Sequence, residues 1–161
     1  MYKYKNKEFN SIIRPIAENQ EFIKTKNIKH HGLTRYDHSR RVAYISYLVT
    51  KFLRLDYKET TEAAMLHDFF TTEVEKENAI FKLRRHPNHA VKNSLKYYDL
   101  SDKQVDIIKT HMFPVTFTPP KYLESWIVDI IDDIVSIYER AFWLKKAVKS
   151  AATFLLVLLI K

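Results

Sequence analysis

Cysteine is absent from the 161-residue sequence, glycine occurs once and proline five times. Without cysteine there is no disulfide framework, thiolate zinc site, iron–sulfur cluster or cysteine nucleophile. Any metal must therefore be held by histidine, aspartate, glutamate or water. A single glycine excludes the P-loop and the dinucleotide fingerprint, because both need several glycines close together to cradle phosphate. Hairpin-rich β architectures also need glycine at positive φ in their turns, which leaves a mostly helical chain as the expectation. The first ten residues, MYKYKNKEFN, are charged with no apolar segment behind them. No secretory signal is read there, and a cytoplasmic protein is expected.

What is present suits one compact domain over 1–161. Hydrophobic residues make up 46% and aromatics 14%, enough to bury a core at this length. Basic residues outnumber acidic ones 27 to 19, a net charge of +8. That balance admits nucleic acid, an anionic membrane surface or small phosphorylated molecules as partners and does not choose among them.

Apolar spacing is helical nearly throughout. Phe9, Ile12, Ile13 and Ile16 recur at three and four, with Pro15 implying a break or a fresh start. A helix is expected from near Asp37 through Leu53, another from Tyr57 to about Phe69, and a polar segment over 71–78. Pro87 fits the first turn of a helix reaching about Tyr98. Ser101 and Gln104 fit a capping box. Three prolines mark a loop over 113–120. A long helix follows from Tyr122 to about Lys146, with Ile127, Ile130, Ile131, Ile134 and Tyr138 on one face. Residues 151–160 are all apolar or Thr, about half the length of a membrane span. They read as a final helix packed on the core or a partner, with an interfacial anchor as the alternative. The total is six or seven helices.

Seven histidines occur, and several fall at expected helix ends: His38 near a start, His67-Asp68 at an end, His86 ahead of Pro87, His111 at another end. Imidazoles and carboxylates gathered from helix ends can aim at one point in a helical core. Leu66-His67-Asp68-Phe69-Phe70 puts an ionisable pair inside an apolar stretch, where burial is costly unless something pairs with both groups. A cation would satisfy the two.

The order Arg35-Tyr36-Asp37-His38-Ser39, Leu66-His67-Asp68, Arg85-His86-Pro87, Thr110-His111-Met112 and a late helical Asp resembles the HD-domain superfamily of metal-dependent phosphohydrolases. The resemblance spans about residues 28–140 and leaves out the apolar helix of 141–161. The histidines at 86 and 111 are similar to those of its binuclear branch, and His30-His31-Gly32 with Leu66-His67-Asp68-Phe69-Phe70 resembles a group of bacterial members. It implies an all-α bundle in which His38, His67, Asp68 and Asp132 hold one metal and His86 and His111 a second, with Asp68 bridging. Arg35 would bind phosphate. Many binuclear members continue His-Asp with Ile-Gly-Lys, where this chain has Phe69-Phe70-Thr71; Arg35, Arg84 and Arg85 are the nearest cations to replace that Lys. Periodicity alone does not separate Asp132 from Asp133, which flank the apolar face at similar angles; the family pattern favours Asp132. Asp129 and Asp133 are then surface charges or partners that orient a ligating histidine.

The implied activity is hydrolysis of a phosphoester or phosphoanhydride, on a nucleotide or small phosphorylated metabolite, by a metal-activated hydroxide. Nitrogen and oxygen ligands without sulfur favour Mn, Fe, Co or Ni, with Mg or Zn admitted. The alternatives are a nucleotide- or nucleic-acid-binding protein with a structural metal, and a di-iron redox enzyme.

Overall fold

The computed structural model describes residues 4–30, 32–70 and 79–159; the predicted polar segment 71–78 and His31 lie outside the described residues. The described chain is helical: α1 (Lys7–Ala17), α2 (Gln20–Ile23), a 3-10 turn (Lys24–Asn27), a hairpin of β1 (Lys29–His30) and β2 (Leu33–Thr34), then α3 (Arg35–Phe52), α4 (Tyr57–Leu66), α5 (Ala79–Ser94), α6 (Asp102–Thr110) and α7 (Leu123–Leu159). Five helices start on a short polar side chain that accepts from a first-turn N–H: Asn6, Asn19, Thr34, Asp56 and Ser101. Each removes one unsatisfied backbone donor, which stabilises a helix start by about 1 kcal/mol. The predicted capping box is present, with Ser101 and Gln104 bonding reciprocally.

Both helical prolines behave differently from the sequence expectation. Pro15 lies within α1 without ending it; the missing N–H costs one hydrogen bond in the last turn, while Phe9, Ile13 and Ile16 bury one continuous face. Pro87 sits in the middle of α5 rather than in its first turn, where it is buried. The tail does not form a separate helix, because the backbone runs unbroken from Leu123 to Leu159, about 55 Å at 1.5 Å per residue.

The core gathers Phe9, Phe22, Tyr36, Val42, Tyr47, Ala63, Ala64, Phe69, Ile107, Ile108, Val128 and Val135. Ala63 and Ala64 are fully buried where α4 packs on α3 and α6. The residues read onto one face of the long helix divide between solvent and core. Ile130, Ile134 and Tyr138 are more than half exposed, whereas Ile131 is buried together with Val128, Asp132, Val135 and Glu139. The acids face in because α3 supplies histidine and arginine partners for them.

Gly32, the lone glycine, turns the hairpin at φ +87°. The indole of Trp143, on α7, lies against it so closely that a Cβ at position 32 would overlap the ring. At the hairpin base the N–H of Arg35 donates to Ile28 O at 2.9 Å, so the hairpin delivers the chain directly into α3.

Candidate metal centre

Two histidines end helices in the same way. His67 is the C-cap of α4 and His111 the C-cap of α6. In each, Nδ1 lies 2.7 Å from the carbonyl three residues earlier, Ala64 O and Ile108 O. A carbonyl only accepts, so Nδ1 carries the proton and satisfies a C-terminal orphan of the helix. In the neutral ring the lone pair then belongs to Nε2. His67 Nε2 is buried and has no hydrogen-bond partner; it faces Asp132 Oδ1 at 3.5 Å and Asp68 Oδ2 at 3.9 Å.

His38 comes from the first turns of α3, behind the Thr34 cap, whose hydroxyl accepts from Asp37 N and donates to the Asp37 carboxylate. Its ring is clamped between carboxylates, Nε2 at 2.8 Å from Asp132 Oδ1 and Nδ1 at 2.9 Å from Glu139 Oε2. Asp132 and Glu139 are seven residues apart, two turns on one face of α7. The other Glu139 oxygen accepts from Arg41 at 2.8 Å, so a guanidinium sits behind the carboxylate that holds the imidazole.

Asp68 stands between the histidines. Its Oδ1 lies 3.7 Å from His86 Nε2 and 3.9 Å from His111 Nε2, while Oδ2 faces His67 and the Arg35 Nε at 3.8 Å. The Nε2 atoms of His86 and His111 approach to 3.0 Å. Phe70 stacks on the His86 ring, its carbonyl accepts from Arg35 Nη1 at 2.8 Å, and the Arg35 guanidinium lies 3.8 Å from its ring centroid.

Electrostatics divides the cluster. Burial pushes the His38 imidazole down, but the bonds to Asp132 and Glu139 outweigh it and raise the group to about 10. His67 is also raised, the charges of Asp132 and Asp68 outweighing burial. Asp132 is held well below the usual carboxylate range, burial being overcome by His67 and His38. On the other side burial, with His67 and His86 beside it, drives His111 down to about 3, and burial lowers His86.

The structure brings His38, His67, Asp68, His86, His111 and Asp132 into three overlapping groups, each with its donor atoms within 4.8 Å of one another: His38, His67 and Asp68; His67, His111 and Asp132; and Asp68, His86 and His111. The donors suit a divalent ion. They are imidazole nitrogens and carboxylate oxygens without sulfur, and His67 Nε2 is aimed into the cluster, buried and without a hydrogen-bond partner.

The remaining predicted residues divide between the cluster's edge and the surface. Arg35 is buried against Asp68 and Phe70. Arg84 and Arg85 are exposed on α5, and the Arg84 guanidinium lies over Phe117. Asp133 is exposed, which separates it from the buried Asp132. Asp129 is a correction to the surface-charge reading. It is buried and accepts from Phe113 N at 3.2 Å, and burial with the neighbouring Asp133 charge pushes its carboxyl up to about 7. Glu139 and Arg41 were missed by the sequence reading. The available signal was spacing alone, seven residues after Asp132 and three after His38.

No curated protein and no solved structure matches the chain. The family model of the HD domain matches residues 35–136, a span holding all six clustered donors and ending three residues before Glu139. That match covers more than half of the sequence and coincides with the cluster, and the chain belongs to the HD-domain family.

Proposed function

We propose that the protein is a metal-dependent phosphohydrolase cleaving a phosphoester or phosphoanhydride of a nucleotide or another small phosphorylated metabolite. The observation that carries this reading is the convergence of four imidazoles and two carboxylates in one buried cluster. HD domains are in general metal-dependent hydrolases, and a buried set of this charge is costly without a cation to pair it.

In this reading His38, His67, Asp68 and Asp132 hold one ion, and His86 and His111 hold a second together with Asp68. Mn, Fe, Co or Ni suit the donors best. Divalent ions there supply Lewis acidity, drawing in phosphate oxygens and lowering the pKa of water from roughly 15.7 to about 7.

The chain's own residues do the positioning. Asp68 presents one oxygen to each side of the cluster, which suits a shared ligand. The Ala64 and Ile108 carbonyls fix the tautomers of His67 and His111, so neither ring has to reorient to ligate. Glu139 fixes His38 from behind, a support whose loss in comparable sites costs about 10–100-fold in metal affinity or activity. Arg35, laid on Phe70 beside Asp68, is the cation placed to meet a phosphate oxygen; Arg84 and Arg85 carry charge on the exposed side of the helix that supplies His86.

The test is elemental analysis of protein purified without chelator, paired with a screen of phosphomonoesters, phosphodiesters and dinucleoside polyphosphates. Co-purifying metal and hydrolysis lost on chelation and regained on adding metal are expected. Failure to bind any divalent ion, or hydrolysis that persists in metal-free protein, overturns the proposal.

A further inference from the structure

The outward face of α7 carries a pattern that the metal centre does not use. Ile127, Ile130, Ile134, Ile137, Ala141 and Leu144 alternate at intervals of three and four. Apart from the partly buried Ile127 they are exposed, Ile134 at 60%, Ile137 at 67% and Leu144 at 68%. The same alternation reaches back to Leu123 and continues in sequence through Val148, Ala151, Leu155 and Leu158, along a backbone helical to Leu159. An apolar residue at each of these positions, with a period of 3.5, is the seam of a coiled coil. A lone surface helix has no use for it, and the run exceeds the three to four heptads that mark a coiled coil.

We infer that this seam pairs α7 with α7 of a second copy of the chain, antiparallel and two-fold symmetric. The charges beside the seam select copy and direction. Asp133 and Arg140 occupy equivalent flanking positions one heptad apart, both exposed, and Lys145 flanks the other side. Setting Ile134 of one chain against Ile137 of the other in an antiparallel pair brings Asp133 beside the partner's Arg140, and symmetry repeats that contact. A parallel, in-register pair would instead set Arg140 beside the partner's Lys145 twice, a like-charge clash. Flanking charges of this kind set orientation in coiled coils, and a two-fold interface must be complementary to itself. In the antiparallel register position 123 lies level with the partner's position 148, an overlap of about 38 Å along the backbone. Trp126 and Tyr138 widen the exposed apolar strip beside the seam, while Asp133 and Arg140 set both signs of charge along one edge, where a membrane-surface helix carries a basic flank.

The full chain is tested by sedimentation equilibrium from about 1 to 100 μM, where a dimer is expected. Ile134→Glu with Ile137→Glu is expected to give a monomer of unchanged helicity by circular dichroism, since both positions are exposed. Direction is read by cross-linking, which a chain without cysteine makes unambiguous. Ile130→Cys mixed with Ala141→Cys is expected to form a disulfide between the two variants, with neither alone cross-linking to itself. Asp133→Arg is expected to weaken the dimer and Asp133→Arg with Arg140→Asp to restore it. A monomer throughout, self-cross-linking of each single-cysteine variant, or binding of the monomer to anionic vesicles through this face overturns the proposal.

Discussion

His38 and His111 are both fully buried, lie in one cluster and share Asp68 and Asp132 as charged neighbours. Yet His38 is raised to about 10 and His111 lowered to about 3. Burial lowers both; the difference is made by the carboxylates bonded to His38 and by the imidazoles of His67 and His86 beside His111. His38 meets a carboxylate at each ring nitrogen, whereas His111 spends Nδ1 on a carbonyl and turns Nε2 toward another imidazole. One side of the centre therefore stores a proton where a cation would bind, and on the other two neutral rings share a hydrogen bond, the His86 Nε2–H donating to the His111 Nε2 lone pair. Two acids shared as neighbours do not set the state of a buried histidine; the bonded partners and the nearer imidazoles do.

The severest way to break this contrast is to remove the residue common to both sides. Asp68→Ala is expected to abolish bound metal and hydrolysis together, read by elemental analysis and by turnover of whichever phosphoester the screen identifies. Retention of one full equivalent of metal would show that the two sides do not share it.

Next in size is Glu139→Gln, which keeps the shape but removes the charge behind His38. Metal affinity is expected to fall about 10–100-fold, and the His38 imidazole, followed by nitrogen NMR in chelated protein, to titrate below its wild-type value. His111 should not move. Equal shifts in both histidines would erase the contrast.

The two sides also differ in how they respond to pH. His38 holds its proton up to about 10, so a cation entering beside Asp132 must displace it, and affinity there rises as pH rises, by about tenfold per unit for one proton. His111, lowered to about 3, has nothing to release near neutrality. Calorimetric titration from about pH 6.5 to 8.5 is expected to show one pH-dependent and one nearly flat binding event; identical slopes would contradict the division.

The smallest effect is expected outside the cluster. Asp129 is raised to about 7 by burial first and by Asp133 next, so the folded state holds a proton that the unfolded state has already lost above about pH 4. Stability then falls as pH rises from about 4 through 7. Asp129→Asn is expected to flatten that decline by a few degrees in Tm, measured on chelated protein; an unchanged slope would assign the pH dependence to the histidines alone.

How much of this was legible beforehand depends on sequence distance. His67, His111 and the Ser101 box announce themselves because helix ends are local events, set by residues three or four positions away. The order of the metal-type donors was readable through its resemblance to the family, while the difference between a buried Asp132 and an exposed Asp133 was not readable from periodicity. Glu139 was not legible: its partners His38 and Arg41 lie about a hundred residues earlier, and a single glutamate in a long helix reads as solvated charge. Which side of α7 faces the core was not legible for a related reason. Periodicity identifies the more apolar face, and in this helix the inward face is the one that carries acids to the histidines while Ile130, Ile134 and Ile137 turn out.

The contact between Gly32 and Trp143 also bears on how far α7 can slide. An axial slip of one turn, about 5.4 Å, would carry Asp132 and Glu139 past His38 and undo both of its carboxylate bonds. The indole seated on the hairpin opposes that slip from a point eleven residues beyond Asp132, and only a position without a side chain can receive it. Gly32 thus works as a depth stop for the longest helix, and its backbone sets the axial alignment of the acids with the imidazole they hold.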